Sequence, residues 1–321
     1  MSCNIQNTSI TVTFICQPGE LEIKSLLLAF SLRENLKIDY CPVVLIPEYF
    51  REKINPTTIL LFGKLGIDIK YFNNTLADFK KTIMPGEAMS NKFFGISVLC
   101  DKNDFLFLDS DIACLNSLPE EICIDKIAAK PADYHLKTDW KKIYQLAGVS
   151  YPETMLKSTV DQIESPPYFN TGVLFIPKNL KSHFCNLWKD YFVLLSDKKI
   201  ISKKLFDPFH RDQIAFALAT EKLKLKVKSL SEPYNYPART RKTISPDTFF
   251  AHYHDCYTLA SKQTLFELYQ RFLIQYPEFK TVLNNQLKWR LLANHKFALL
   301  NQVKITQRIL KKTKMVIRNF R

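Results

Sequence analysis

Phe105-Leu106-Phe107-Leu108-Asp109-Ser110-Asp111 reads as a buried strand that ends in two carboxylates. Four consecutive apolar residues suit a strand covered on both faces. Asp109 and Asp111 follow at its C-terminal end. Hard oxygens presented together there suit Mg²⁺ or Mn²⁺, which in turn can grip a diphosphate. Taken alone, the pattern also fits a solvated turn after a strand, a nuclease, or a phosphatase of the haloacid dehalogenase type. Such phosphatases carry the motif near the N-terminus as DxDxT or DxDGT. Here it lies a third of the way into 321 residues and continues Ile112-Ala113.

Upstream, Ile10 to Cys16 is a β-branched run that signals a buried strand. Gln17-Pro18-Gly19-Glu20 breaks it, and Leu21 to Leu36 has helical spacing. Val43 to Ile46 and Ile67 to Phe72 read as strands, and Asn91 to Leu99 as a helix. Strands alternating with helices predict an α/β fold, with a mostly parallel, Rossmann-like sheet flanked by helices. Ligands of such sheets bind outside the carboxyl ends of the strands. Beyond about residue 120 the alternation weakens. Tyr168 to Ile176 and Phe249 to Tyr253 read as further strands, Phe206 to Ala219 as a loop entering a helix, and Leu259 onward as helical. The expected organisation is one catalytic domain over 1–257 and a basic helical C-terminal extension over 258–321.

Composition bounds the function. Hydrophobic residues make up 46% and charged residues 24%, enough for a sizeable core, and seven glycines argue against a low-complexity chain. The net charge is +14, but eleven Lys and Arg fall between 280 and 321, where no Asp or Glu offsets them. The basicity belongs to the tail, so it does not mark the main domain as a nucleic-acid binder. None of the eight cysteines forms a CxxC pair, which argues against zinc ribbons and thioredoxin-like chemistry. The polar start and the lack of a long apolar run lead us to expect a cytoplasmic enzyme. In the tail, apolar residues recur among the basic ones, and Trp289 between Lys288 and Arg290 suits an interfacial position. Peripheral attachment to an anionic membrane surface is therefore expected, against the alternative of an ordinary helical cap with solvated charges.

Five short motifs, in this order, resemble GT-A glycosyltransferases, most closely the family 8-like retaining enzymes. They are Asn91-Lys92 at a helix start, Asp109-Ser110-Asp111, Tyr168 to Ile176 (YFNTGVLFI), Arg211-Asp212-Gln213, and His252 after a short apolar strand. The resemblance implies a GT-A fold. It also implies transfer of a sugar from a nucleotide-diphosphate sugar, here a UDP-sugar, to a saccharide, lipid-linked or protein acceptor, with retention and with Mn²⁺ or Mg²⁺ as cofactor. It implies that Asp109, Asp111 and His252 bind the metal, with His254 as the alternative histidine. Lys92, Ser110, Asn170, Thr171, Gly172 and Gln17 would contact the donor. Asp212 and Gln213 would stand at the reacting carbon.

The residue types suit these roles by themselves. Neutral imidazole completes an Asp/Asp/His ligand set. A glycine beside Asn-Thr lets a ligand approach the backbone. Other readings stand beside them: Asn170 and Thr171 as a strand-entry turn, Asp212 as a helix N-cap, Lys92 as a solvated helix residue. His252 and His254, two apart, share one face if the strand runs through both. The chain departs from the family after the histidine. Where relatives continue into GxxKPW, it reads Tyr253-His254-Asp255-Cys256-Tyr257-Thr258, and Lys262 is the nearest following lysine. The loop at Gln17 also lacks the acidic pair of some relatives. A sugar-phosphate nucleotidyltransferase would need a GxGTR-type loop after the first strand, which Gln17-Pro18-Gly19 is not. A non-catalytic nucleotide-sugar or carbohydrate binding module is the remaining alternative.

Overall fold

The computed structural model describes residues 10–76, 87–100, 102–119 and 125–307. Cys3, Cys123 and the tail residues Ile309, Met315, Val316 and Ile317 lie outside that range. The first half runs β1 (Ile10–Ile15), α1 (Glu20–Asn35), β2 (Tyr40–Pro47), α2 (Pro56–Lys64), β3 (Asp68–Phe72), α3 (Asn91–Ser97), β4 (Phe105–Leu108) and β5 (Ile112–Cys114). Next come β6 (Ala128–Pro131), α4 (Trp140–Leu146), the short pair β7 (Leu156–Lys157) and β8 (Glu164–Ser165), and then β9 (Phe169–Ile176). They lead to α5 (Lys181–Leu195), α6 (Lys198–Ser202), α7 (Arg211–Lys222), β10 (Lys228–Ser229), β11 (Tyr236–Pro237) and β12 (Phe250–His252). The chain closes with α8 (Cys256–Ser261), α9 (Gln263–Gln275), α10 (Phe279–Val282), α11 (Leu287–Ala293) and helical residues 297–307.

The main sheet has the order β10-β6-β9-β4-β1-β2-β3. Strands β4, β1, β2 and β3 are parallel, as expected, while β9 runs antiparallel to both β4 and β6. Its reversal carries the start of β9 to the C-terminal end of β4. A second sheet, β11-β12-β5, stands beside it.

Period-two alternation sends side chains of the central strands to two separate cores. Leu106 and Leu108 of β4, with Val173 and Phe175 of β9, face a cluster shared with α1 and the C-terminal helices. Phe105, Phe107, Leu174 and Ile176 face the other, shared with α3, α5 and α7. This two-sided burial is what the unbroken apolar run at 105–108 demands. Helix α2 starts on Pro56 with Asn55 accepting the amide of Thr57, a regular N-cap.

The expectation for Trp289 is corrected. It is fully buried, 5.8 Å from the Tyr269 ring, and its carbonyl accepts the Tyr269 hydroxyl. Lys288 pairs with Glu20 at 3.0 Å. Trp289 is a core residue that fastens the C-terminal helices to the sheet domain, not an interfacial anchor. Among the described residues, no helix is long and apolar enough to cross a membrane.

Candidate active site

The acidic motif is the hinge between the two sheets. Asp109 leaves β4, its amide donating to the Gly172 carbonyl at 2.7 Å. Ile112 donates back to the Asp109 carbonyl at 3.0 Å, closing a tight turn, and then enters β5. Ser110, buried, ties this turn to the end of β1 by donating to the Ile15 carbonyl. Its side chain is thereby committed to the fold.

Strand β12 pairs antiparallel with β5 in a register that sets His252 opposite Ile112. That register brings its Nε2 to 3.1 Å from Asp111 Oδ1. Nδ1 lies 3.3 Å from the amide oxygen of Asn235, a residue that is 1% exposed. The strand stops at His252, so the shared strand face predicted for His252 and His254 is not the device used. His254 instead adopts a left-handed φ of 60°, which folds its ring onto His252 at a centroid distance of 3.9 Å. Its Nδ1 stands 3.9 Å from Asp111 Oδ2. One ligand atom from each of Asp111, His252 and His254 falls within 4.8 Å of the others. Two imidazoles and a carboxylate suit a divalent first-row metal. Burial, reinforced by His252, pushes the His254 imidazole down to about 3, so it is neutral and able to ligate. Burial opposes ionisation of Asp111, but His252, Lys24 and His254 together hold the carboxyl well below its ordinary range.

Gly172 makes this packing feasible. A Cβ there would sit 2.8 Å from His252 Cε1 and 3.0 Å from both His252 Nδ1 and Asn170 Oδ1. The glycine therefore admits the histidine ring against β9.

A second cluster adjoins the first. Lys92, 5% exposed at the start of α3, reaches Asp109 Oδ1 at 3.0 Å, Asp212 Oδ2 at 3.1 Å and Thr171 Oγ1 at 3.1 Å. Thr171 in turn donates to Asp212 Oδ2 at 3.1 Å. Burial works against the ammonium, yet the two carboxylates prevail and raise its pKa. Burial and the neighbouring Asp111 raise the Asp109 carboxyl against the pull of Lys92. Lys92 is therefore not a solvated helix residue. Asp212 is not an N-cap either: α7 begins at Arg211, His210 holds the cap position, and Asp212 is buried within the first turn. A carboxylate there is also favoured by the helix dipole. Asn170 and Thr171 lie inside β9 rather than in an entry turn, with the Asn170 amide oxygen accepting the Gly172 amide at 2.9 Å.

Gln213 is half-buried beside Asp212, and Gln17 is nearly buried after β1. The described contacts thus bring Asp111, His252, His254, Gly172 and Asn170 into one group. Lys92, Asp109, Thr171 and Asp212 form another, joined to it through the Asp109–Asp111 turn.

Two neighbours had gone unread in the sequence. Asn235 is one. Its setting, Glu232-Pro233-Tyr234-Asn235, reads only as a turn. Lys24 is the other. It is 7% exposed on α1, donates to the His254 carbonyl at 2.6 Å and stands 3.9 Å from Asp111 Oδ2. Its signal was a lone lysine ahead of the apolar run Leu26-Leu27-Leu28-Ala29-Phe30. Lys262, by contrast, is spent on the carbonyls of Arg241 and Lys242.

Comparison with known proteins agrees with this architecture. The family model of the Rhodobacterales glycosyltransferase domain matches residues 12–224. Galactosyltransferase LgtC, solved with donor and acceptor sugar analogs, is similar in structure with a TM-score of 0.51 at 14% identity, over 81% of this chain and 95% of that one. An active-site mutant of LgtC gives 0.51 at 13% identity, over 77% and 88%. The bifunctional glycosyltransferase WbbM gives 0.50 at 12% identity, over 83% of this chain and 50% of that one. At such identities the likeness is one of fold, GT-A. No curated protein matches by sequence.

Proposed function

Because the chain belongs to the Rhodobacterales glycosyltransferase domain family and is a glycosyltransferase, we propose that its donor is a UDP-sugar, used with Mn²⁺ or Mg²⁺. The observation that carries this reading is the convergence of Asp111, His252 and His254 within 4.8 Å at the end of β4. We assign the metal to these three residues and to Asp109, the other carboxylate of the turn. A divalent ion bound there would offset charge on the donor diphosphate.

The protein residues then divide the remaining work. Asn235 holds the His252 ring by its Nδ1, a contact that orients a ligand histidine. Lys92 neutralises Asp109 and Asp212 together, coupling the metal turn to the sugar side. Asp212 is buried and committed to Lys92 and Thr171, which makes it a positioning residue. Gln213 and Asn170, each half-buried, offer amide groups to sugar hydroxyls. Gly172 and Gln17 border the donor. Transfer with retention follows the family resemblance. The acceptor is a saccharide, lipid-linked or protein group, and the division at 257/258 remains our reading of the domain organisation.

The test is release of UDP from a panel of UDP-sugars by the full chain with Mn²⁺. Release that stops in EDTA and returns with added metal is expected, with Asp111→Asn inactive but folded. Undiminished release after verified metal removal would overturn the metal assignment. UDP binding without turnover, with or without saccharide acceptors, would favour a binding module.

A further inference from the structure

One divalent ion balances the charge of a nucleotide-sugar's diphosphate, but further negative charge develops on it as the sugar leaves, and a second cation would stabilise that charge. Lys262, the nearest lysine after His252, is turned to the carbonyls of Arg241 and Lys242. Lys92 is enclosed by Asp109, Asp212 and Thr171. Arg239 is exposed, and its charge acts on His254.

Lys24 differs from all of these. Helix α1 brings its ammonium to the side of the metal cluster formed by Asp111 Oδ2 and the His254 turn. An ammonium has three N–H donors. One is used at 2.6 Å on the His254 carbonyl. Asp111 at 3.9 Å is within ion-pair range but beyond a hydrogen bond. Two donors thus remain on a nearly buried cation, next to a cluster that already holds a carboxylate and two imidazoles.

We propose that Lys24 is the cation that meets the donor diphosphate in this chain, contributed by the first helix instead of by the segment after the histidine motif. This rests on the metal site and nucleotide-sugar donor proposed above. Its chemistry is charge-assisted hydrogen bonding to phosphate oxygens, and it supports the diphosphate as leaving group without transferring a proton. The same lysine also fastens the left-handed turn at His254, so a phosphate-binding role must be separated from a bracing role.

Calorimetric titration of the full chain separates them, using Mn²⁺ alone, then pyrophosphate and UDP in saturating Mn²⁺. Lys24→Met removes the charge at nearly constant shape. Lys24→Gln keeps an N–H donor for the turn. Lys24→Arg keeps the charge. We expect Met and Gln variants to bind pyrophosphate and UDP about tenfold to a hundredfold more weakly, the loss of one charged hydrogen bond. Their Mn²⁺ affinity should stay equal or rise, because a cation beside Asp111 has been removed, and the Arg variant should recover most of the loss. Mn²⁺ binding that falls in step with pyrophosphate binding would show a brace for His254 and overturn the proposal. Unchanged pyrophosphate affinity in both neutral variants would overturn it equally. A wild-type chain that binds manganese pyrophosphate through Lys24 but not UDP would sink the nucleotide reading and leave this one standing.

Discussion

Gly172→Ala should weaken metal binding without replacing a ligand. The backbone at Gly172 is not in the left-handed region, so alanine brings no conformational strain, only a methyl group. That methyl meets His252 Cε1 at 2.8 Å, where ordinary contact begins at 3.4 Å. The ring must withdraw by about 0.6 Å, or β9 must give way, and ligand positions tolerate only about 0.2 Å. His252 has little freedom to comply, since its strand is paired on both sides, to β5 and to β11. Its Nδ1 is also engaged by Asn235. Disturbing a ligand's support typically costs about 10- to 100-fold in metal affinity, or roughly 1.4–2.7 kcal/mol. Overpacking adds about 1–3 kcal/mol of destabilisation even in the apo protein. Calorimetric titration with Mn²⁺ and urea unfolding in EDTA measure the two effects separately. If Gly172→Ala binds Mn²⁺ as wild type does, the His252 ring is not held against β9 and the assigned metal geometry is wrong.

Other outcomes follow from the same contacts. Lys92→Met leaves Asp109 and Asp212 buried without their cation and should destabilise the fold by about 3–5 kcal/mol, read as a lowered urea midpoint; an unchanged midpoint would mean the cluster is solvated. Gln213→Ala and Asp212→Asn should lower turnover far more than UDP affinity, and wild-type rates in both would remove this motif from the sugar site. For the basic tail we propose binding to anionic lipid. Truncation before Trp289 would cut into the core, so the probe is neutralisation of Lys304, Lys311, Lys312 and Lys314 to serine. At about 1 kcal/mol per basic residue near the surface, this should abolish sedimentation with anionic liposomes at low salt. Equal sedimentation of both chains would make the tail a structural element alone.

The strand FLFLDSD was legible because two-sided burial leaves an uninterrupted apolar run; β1 announces itself by its β-branched residues, and β9 by the apolar stretch Val173-Leu174-Phe175-Ile176. Strand β5 was not legible. Its three residues, Ile112–Cys114, look like the tail of the acidic motif, and their pairing with β12 is set by partners far away in the chain. That pairing is what selects His252, so the histidine was found by resemblance and its mechanism of placement was not. Lys24 and Asn235 went unread for a related reason. A charged residue on an apolar helix face, or an amide in a turn, acquires a role only from what tertiary packing sets opposite it.

The reversed strand β9 and the small sheet assemble the site from distant parts of the chain. Asp111 and His252 are separated by 141 positions. At roughly 5–20 residues per second, a ribosome completes Asp109 and Asp111 about 7–28 s before it adds His252. Throughout that interval the nascent polypeptide carries an acidic turn with no imidazole to complete it. On the metal assignment proposed above, ion capture would be deferred until nearly all of the sheet domain has been synthesised.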